Sequence, residues 1–109
     1  MSFIHKNLSQ GRWQELSFAE QIGNIGSELS RAKSWSVKGN NEYKIKSLER
    51  ALELIDLTLS NREERTKIKE LTCLHQVVSS LLEKSDNSIT IFKSLESFYL
   101  PFALLARQK

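Results

Sequence analysis

Apolar residues recur along this chain at three- and four-residue spacing with polar residues between them, the pattern of amphipathic helices. From Leu16 to Ala32 three faces can be read: Ile22, Ile25, Leu29 and Ala32 form a core face, Ala19, Gly23, Gly26 and Ser30 a small-residue face, and Glu20, Asn24, Ser27, Glu28 and Arg31 a polar side. Ser17 and Glu20 make a Ser-x-x-Glu capping box, so the first helix starts at Ser17 and runs to about Ser36, before the break at Val37-Lys-Gly-Asn-Asn41. The residues ahead of it, 1–16, read as a short packed N-terminal arm carrying Trp13 and Leu16.

A second helix is predicted over Asn41 to Leu59, with Tyr43, Leu48, Leu52, Ile55 and Leu59 on one face and Ala51 and Leu54 widening it. Asn61 is the expected N-cap of a third, Arg62 to about Glu83, whose inner positions are Ile68, Leu71, Leu74, His75, Val78, Leu81 and Leu82. After the polar turn Lys84 to Ser88, a fourth helix turns inward Ile91 or Phe92, Leu95, Phe98, Tyr99, Phe102 and Leu105 or Ala106. Pro101 falls inside it, which predicts a kink near Ser97 or a restart around Leu100, because proline lacks the N–H and clashes with the carbonyl four residues back. Short connections make consecutive helices antiparallel, so the expected fold is all-α: an antiparallel up-down-up-down four-helix bundle with the short N-terminal arm.

Composition narrows the class. With 109 residues, 39% hydrophobic and 27% charged, the chain reads as one soluble domain, and no apolar run approaches the roughly 20 residues that span a bilayer. The N-terminus lacks a basic region followed by an apolar stretch, which favours a cytoplasmic home over secretion, and no membrane partner is expected. Cys73, the single cysteine, is expected as a small buried hydrophobe. No cofactor motif and no metal-ligand spacing emerges, because neither His5 nor His75 is followed by a Glu or second His at ligand distance.

Catalysis has thin support. Glu49, Glu53 and Asp56 share one helix side but lack a Glu-x-x-His partner, and are expected as a solvated face bonded to Lys46 and Arg50. Arg65 and His75 are too far apart for the close Arg…His spacing of small α-helical ribonucleases of the higher-eukaryote-and-prokaryote nucleotide-binding type. The better polar candidate is Asn24, Glu28 and Arg31, spaced to share one face, which reads either as an interhelical network reaching Arg50 or Glu53 or as a partner or ligand site. Gly23 and Gly26 each weaken a helix, so they predict close approach by another helix, from this chain or a second copy.

The net charge of +3 permits a nucleic-acid partner without requiring one. Locally, Arg31, Lys33, Lys38, Lys44 and Lys46 face only Glu42 in acid, with Trp35 and Tyr43 interleaved, which suggests a nucleic-acid-binding patch with stacking partners. Ordinary solvated basic residues with Trp35 and Tyr43 packing the helix ends is the competing reading. A second basic group, Arg62, Arg65, Lys67 and Lys69 with Arg107 and Lys109, is diluted by Glu63, Glu64 and Glu70.

Arg12-Trp13, Leu16-Ser17, Ala19-Glu-Gln-Ile-Gly-Asn-Ile-Gly-Ser-Glu28, Ser30-Arg31, Trp35, Lys38-Gly-Asn40 and Leu48-Glu-Arg-Ala-Leu-Glu-Leu-Ile-Asp-Leu-Thr58 resemble an uncharacterised family of small helical prokaryotic proteins. The resemblance covers the first 60 residues or so, more loosely the rest including Phe102-Ala103 and Ala106-Arg107, and implies a helical domain without naming catalytic residues. In size, basic balance and bundle form the chain is remotely similar to the four-helix proteins named for the ribosomal-RNA intervening sequence and their relatives that accompany the reverse transcriptase of diversity-generating retroelements. That fold-level likeness implies ring assembly and binding of nucleic acid or a polymerase. The expected function is therefore a non-enzymatic, self-associating binding or accessory module for RNA or a nucleic-acid-handling protein such as a reverse transcriptase. The alternatives are a small enzyme or ligand-binding protein built on Glu28 and Arg31, and a purely structural homo-oligomer.

Overall fold

A computed structural model describes residues 10–60, 65–83 and 89–107. Every regular element among them is a helix: α1 (Gln10–Glu15), α2 (Phe18–Val37), α3 (Asn41–Leu59), α4 (Arg65–Glu83) and α5 (Ile89–Arg107). The expected N-cap Asn61, the turn from Lys84 to Ser88, and His5, Arg62 and Lys109 lie outside the described residues.

The capping box at the start of α2 forms in both directions: Ser17 Oγ accepts from the Glu20 N–H at 3.1 Å and Glu20 Oε1 from the Ser17 N–H at 2.8 Å. At the other end Gly39 takes φ +77°, a left-handed conformation that L side chains rarely adopt, and Asn40 Oδ1 accepts from the Tyr43 N–H at 3.1 Å to cap α3. Within the expected arm, Gln10–Glu15 is helical and tied down. Trp13 is fully buried and its Nε1–H donates to Thr58 Oγ1 at 2.9 Å, while Gln14 Nε2 donates to the Leu57 carbonyl at 2.8 Å and Gln21 Nε2 to the Trp13 carbonyl at 2.9 Å. One aromatic residue thus carries both apolar burial and a polar link to the end of α3.

Helix α2 is the central element, packed on α3 along one side and on α5 along another. Its expected core face is buried throughout, Ile22, Ile25 and Ala32 completely and Leu29 to 1% exposure. The small-residue face meets α5 of the same chain: a Cβ on Gly23 would lie 3.5 Å from Ala103 Cα, whereas one on Gly26 would fall inside the ring of Tyr99. Phe18, at the start of α2, meets Phe102 edge-on with centroids 5.6 Å apart, and Lys33, near its other end, bonds Glu96 at 3.0 Å, so α2 and α5 run in opposite directions. Burial and the nearby Glu96 carboxylate push the Tyr99 phenol above its ordinary pKa of 10.0, against a hydrogen bond with Ser30 that lowers it.

Helix α4 packs on α3 and contributes Leu71, Leu74, Val78 and Leu81 to the core, but its backbone makes no comparable approach to α5. Pro101 does not restart α5, which is one helix from Ile89 to Arg107. The physical reason is its position: Pro101 and Ser97 are both exposed, so the carbonyl that loses its donor lies on the solvent side while Tyr99 and Ala103 keep the helix seated on α2. Two other expectations are corrected by packing. Tyr43 is not on the buried face of α3 but 45% exposed, and Glu53 is buried at 6% while Glu49 and Asp56 are exposed, so the three carboxylates do not form one solvated face; of the pair Leu105 or Ala106, Leu105 is 57% exposed.

Candidate functional site

Three places in the fold could carry function. The polar side of α2 is the first. Glu28 is buried to 5% exposure and pairs with Arg31 across one helical turn, Nη1 to Oε1 3.0 Å, with the Arg31 side chain itself 61% exposed. Asn24 does not join them: it is exposed and its Nδ2 donates to the Glu20 carbonyl of its own helix at 2.8 Å. The expected triad is therefore a pair, in which the guanidinium lies over a buried carboxylate at the helix surface. Neither of the two clefts described below includes these residues.

The second place is the basic and aromatic end where α2 turns into α3. The structure brings Trp35, Lys38, Tyr43 and Lys46 together: the two rings stand 4.9 Å apart at 40°, Lys38 Nζ lies 4.9 Å over Trp35, and Lys46 Nζ lies 5.2 Å over Tyr43. Each ring thus meets a ring and an ammonium, a mutually satisfied stack. The other expected members are placed elsewhere. Lys44 is buried to 3% exposure, Lys33 is engaged by Glu96, and Arg31 by Glu28. Lys46 also reaches Glu42 at 3.5 Å. Of the basic residues expected to grip phosphates, Lys38 and Lys46 remain at this end.

The third place joins residues that the sequence does not group into a site. Between α4 and α5 two adjoining clefts, about 440 and 630 Å³, share Val77 and Leu95 and so make one groove. Leu74, Val77, Leu95 and Phe98 wall its smaller, more apolar stretch, with Lys69 and Glu70 at one end, and Ile91 continues it into the larger one. Cys73 lines this groove and is exposed, which corrects the expectation that it is buried. The cause is the separation of α4 from α5: a position that full bundle packing would cover is left on an open wall. A sequence signal existed in the pair Val77-Val78: neighbours in a helix point about 100° apart, so both are covered only where the helix has neighbours on two sides, as Leu54 and Ile55 of α3 are and Val77 of α4 is not.

His75 lies at the interface of α3 and α4. Its Nε2 is 3.3 Å from Asp56 Oδ1 and its Nδ1 3.4 Å from Ser79 Oγ. The residue types are those of a hydrolase triad, but Ser79 is in the middle of a helix, where backbone N–H groups are committed to the helical ladder and none is offered to an oxyanion. The arrangement serves as a polar tie between the two helices, from Asp56 of α3 to His75 and Ser79 of α4.

Among the described residues no group of three or more His, Cys, Asp or Glu side chains could hold a metal ion, and no helix is long and apolar enough to cross a membrane. Comparison with protein-family models, with curated proteins and with solved structures gave no match to this chain.

Proposed function

We propose that this chain is a non-enzymatic accessory module, an antiparallel up-down-up-down four-helix bundle extended by α1, that works by docking a helix of a protein partner between α4 and α5. The observation that carries this reading is the groove itself: an apolar channel walled by Leu74, Val77, Leu95 and Phe98, continued by Ile91, and edged by Lys69, Glu70, Gln76, Ser80 and Ser94. Apolar grooves between helices take amphipathic helices by inserting residues one turn apart. The mildly basic balance of the chain suits a partner that itself handles nucleic acid.

Cys73, the single cysteine, lies in the groove and gives a direct test. A benzophenone maleimide attached there, photolysed in host extract, should join the chain to one dominant protein, and Val77→Glu should abolish that product. Labelling no stronger than the Val77→Glu background sinks the docking reading.

Direct RNA binding is the second reading, favoured by the Lys38, Trp35, Tyr43 and Lys46 cluster at the α2 and α3 turn. It requires that Lys38→Glu with Lys46→Glu weaken RNA binding and flatten its salt dependence, since each lost phosphate contact removes one released counterion. Equal affinities and slopes for the two proteins would remove it.

A further inference from the structure

The last turns of α5 are apolar on every side. From Phe98 to Ala106 the sequence is Phe-Tyr-Leu-Pro-Phe-Ala-Leu-Leu-Ala, without a charged residue. A helix of that kind is at home only when covered all round. One side is covered, by Tyr99 and Ala103 on α2 and by Phe102 against Phe18. The other is open, with Leu100 at 48% and Leu104 and Leu105 each at 57% exposure. At about 100° per residue, Leu104, Pro101 and Leu105 lead around α5 from its solvent side towards the side of Phe98, which walls the groove. Leu105 and Leu104 therefore extend the apolar wall formed by Phe98 and Val77 around α5, whereas Leu100 lies about 160° from Phe98 on the far side.

Resting on the docking reading, we propose that this surface is occupied by a second copy of the chain, packed about a two-fold axis. A single patch that carries both a ridge, the α5 leucines, and a hollow, the α4 and α5 groove, is self-complementary and closes as a dimer. Two separate patches would instead lead to rings or open chains. The rim agrees: Lys69 and Glu70 are neighbours at the end of the groove, and a two-fold axis can set each of them against the opposite charge of the other copy. A nucleic acid or an anionic lipid surface would be met by one sign of charge there. The size also fits. Leu104 and Leu105 at 57% and Val77 at 38% exposure contribute to an apolar patch of the size, a few hundred Å², that is often functional on a monomer.

Light scattering on the purified full chain tests the proposal. The mass should rise with concentration towards twice the 12.6 kDa of one chain and stop there. Leu104→Glu with Leu105→Glu should hold it at one chain, with an unchanged circular dichroism spectrum because both side chains lie outside the core. Lys69→Glu alone should weaken the dimer, and Lys69→Glu combined with Glu70→Lys should restore it, a rescue that a merely destabilised fold would not give. A monomer at every concentration, a dimer indifferent to the leucine changes, or a mass that grows past two chains would each overturn the two-fold assembly. So would a monomer that sediments with phosphatidylserine vesicles, which would assign the surface to membranes. If the purified chain stays monomeric while labelled Cys73 joins a different protein in extract, the second-copy inference fails and the docking reading stands.

Discussion

The two glycines of α2 occupy the same face and have opposite mutational consequences. At Gly26 an added methyl falls inside the Tyr99 ring, so Gly26→Ala forces the α2 and α5 contact apart and should cost about 1–3 kcal/mol, as overpacking does. At Gly23 the nearest atom is at 3.5 Å, ordinary contact, so Gly23→Ala should be neutral or gain up to about 1 kcal/mol from helix propensity. Urea unfolding of the two variants measures both, and a Gly26→Ala protein as stable as the parent would contradict the close approach. Tyr99 adds a pH signature. Its phenol pKa is raised on folding, so the folded chain keeps a proton that the unfolded chain releases, and the associated stability is present below the ordinary value and lost as pH rises through the folded one. Between about pH 9 and about pH 11 the parent should lose more stability than Tyr99→Phe, which cannot titrate; parallel losses would show that Tyr99 contributes nothing to the alkaline limb. Sequence pattern was informative here to the extent that two helix-weakening residues one face apart imply a neighbour. It could not tell which neighbour, and for Cys73 it gave the wrong answer, because periodicity reports a residue's own helix and not whether the next helix covers it.

At the level of elements, boundaries were legible wherever local chemistry sets them. Ser17 with Glu20 starts α2, and Gly39 with Asn40 separates α2 from α3, since caps and left-handed turns depend on a few adjacent residues. Pro101 sits inside α5 without restarting it, because the cost of a missing helical hydrogen bond falls when the affected turn is exposed, and Pro101 and Ser97 both lie on the exposed side of α5. The basic end was half legible: Trp35, Lys38, Tyr43 and Lys46 do meet, but Lys33, Lys44 and Arg31 are claimed by packing and by acids distant or adjacent in sequence. For α1 the decisive residue is Trp13. Trp13→Ala removes the fully buried ring and its bond to Thr58, and should destabilise the protein by about 3–5 kcal/mol, at the upper end of large-to-small core changes. Because Thr58 Oγ1 also donates to the Leu54 carbonyl at 2.8 Å, Trp13→Phe leaves that hydroxyl a partner and should be distinctly milder. Thermal denaturation of the two variants compares them, and equal losses would place the value of Trp13 in its indole N–H instead of its volume.

For the whole molecule, the unequal packing of the helices sets a gradient of stability. Helix α2 is held by both α3 and α5, whereas α4 is held by α3 and faces the groove on its other side. Segments with fewer supporting contacts open at lower free energy than the global unfolding of the domain. Amide hydrogens of α4 should therefore exchange faster than those of α2, with Leu71, Val78 and Leu81 marking the slower, core-facing stripe within α4. Filling the groove supplies the support that α4 lacks, so exchange in α4 and in the last turns of α5 should slow together at protein concentrations that favour the dimer, while α2 changes little. Uniform protection across α2, α3 and α4 at every concentration would mean that the groove leaves no element weaker than the rest, and the physical case for an occupant would go with it.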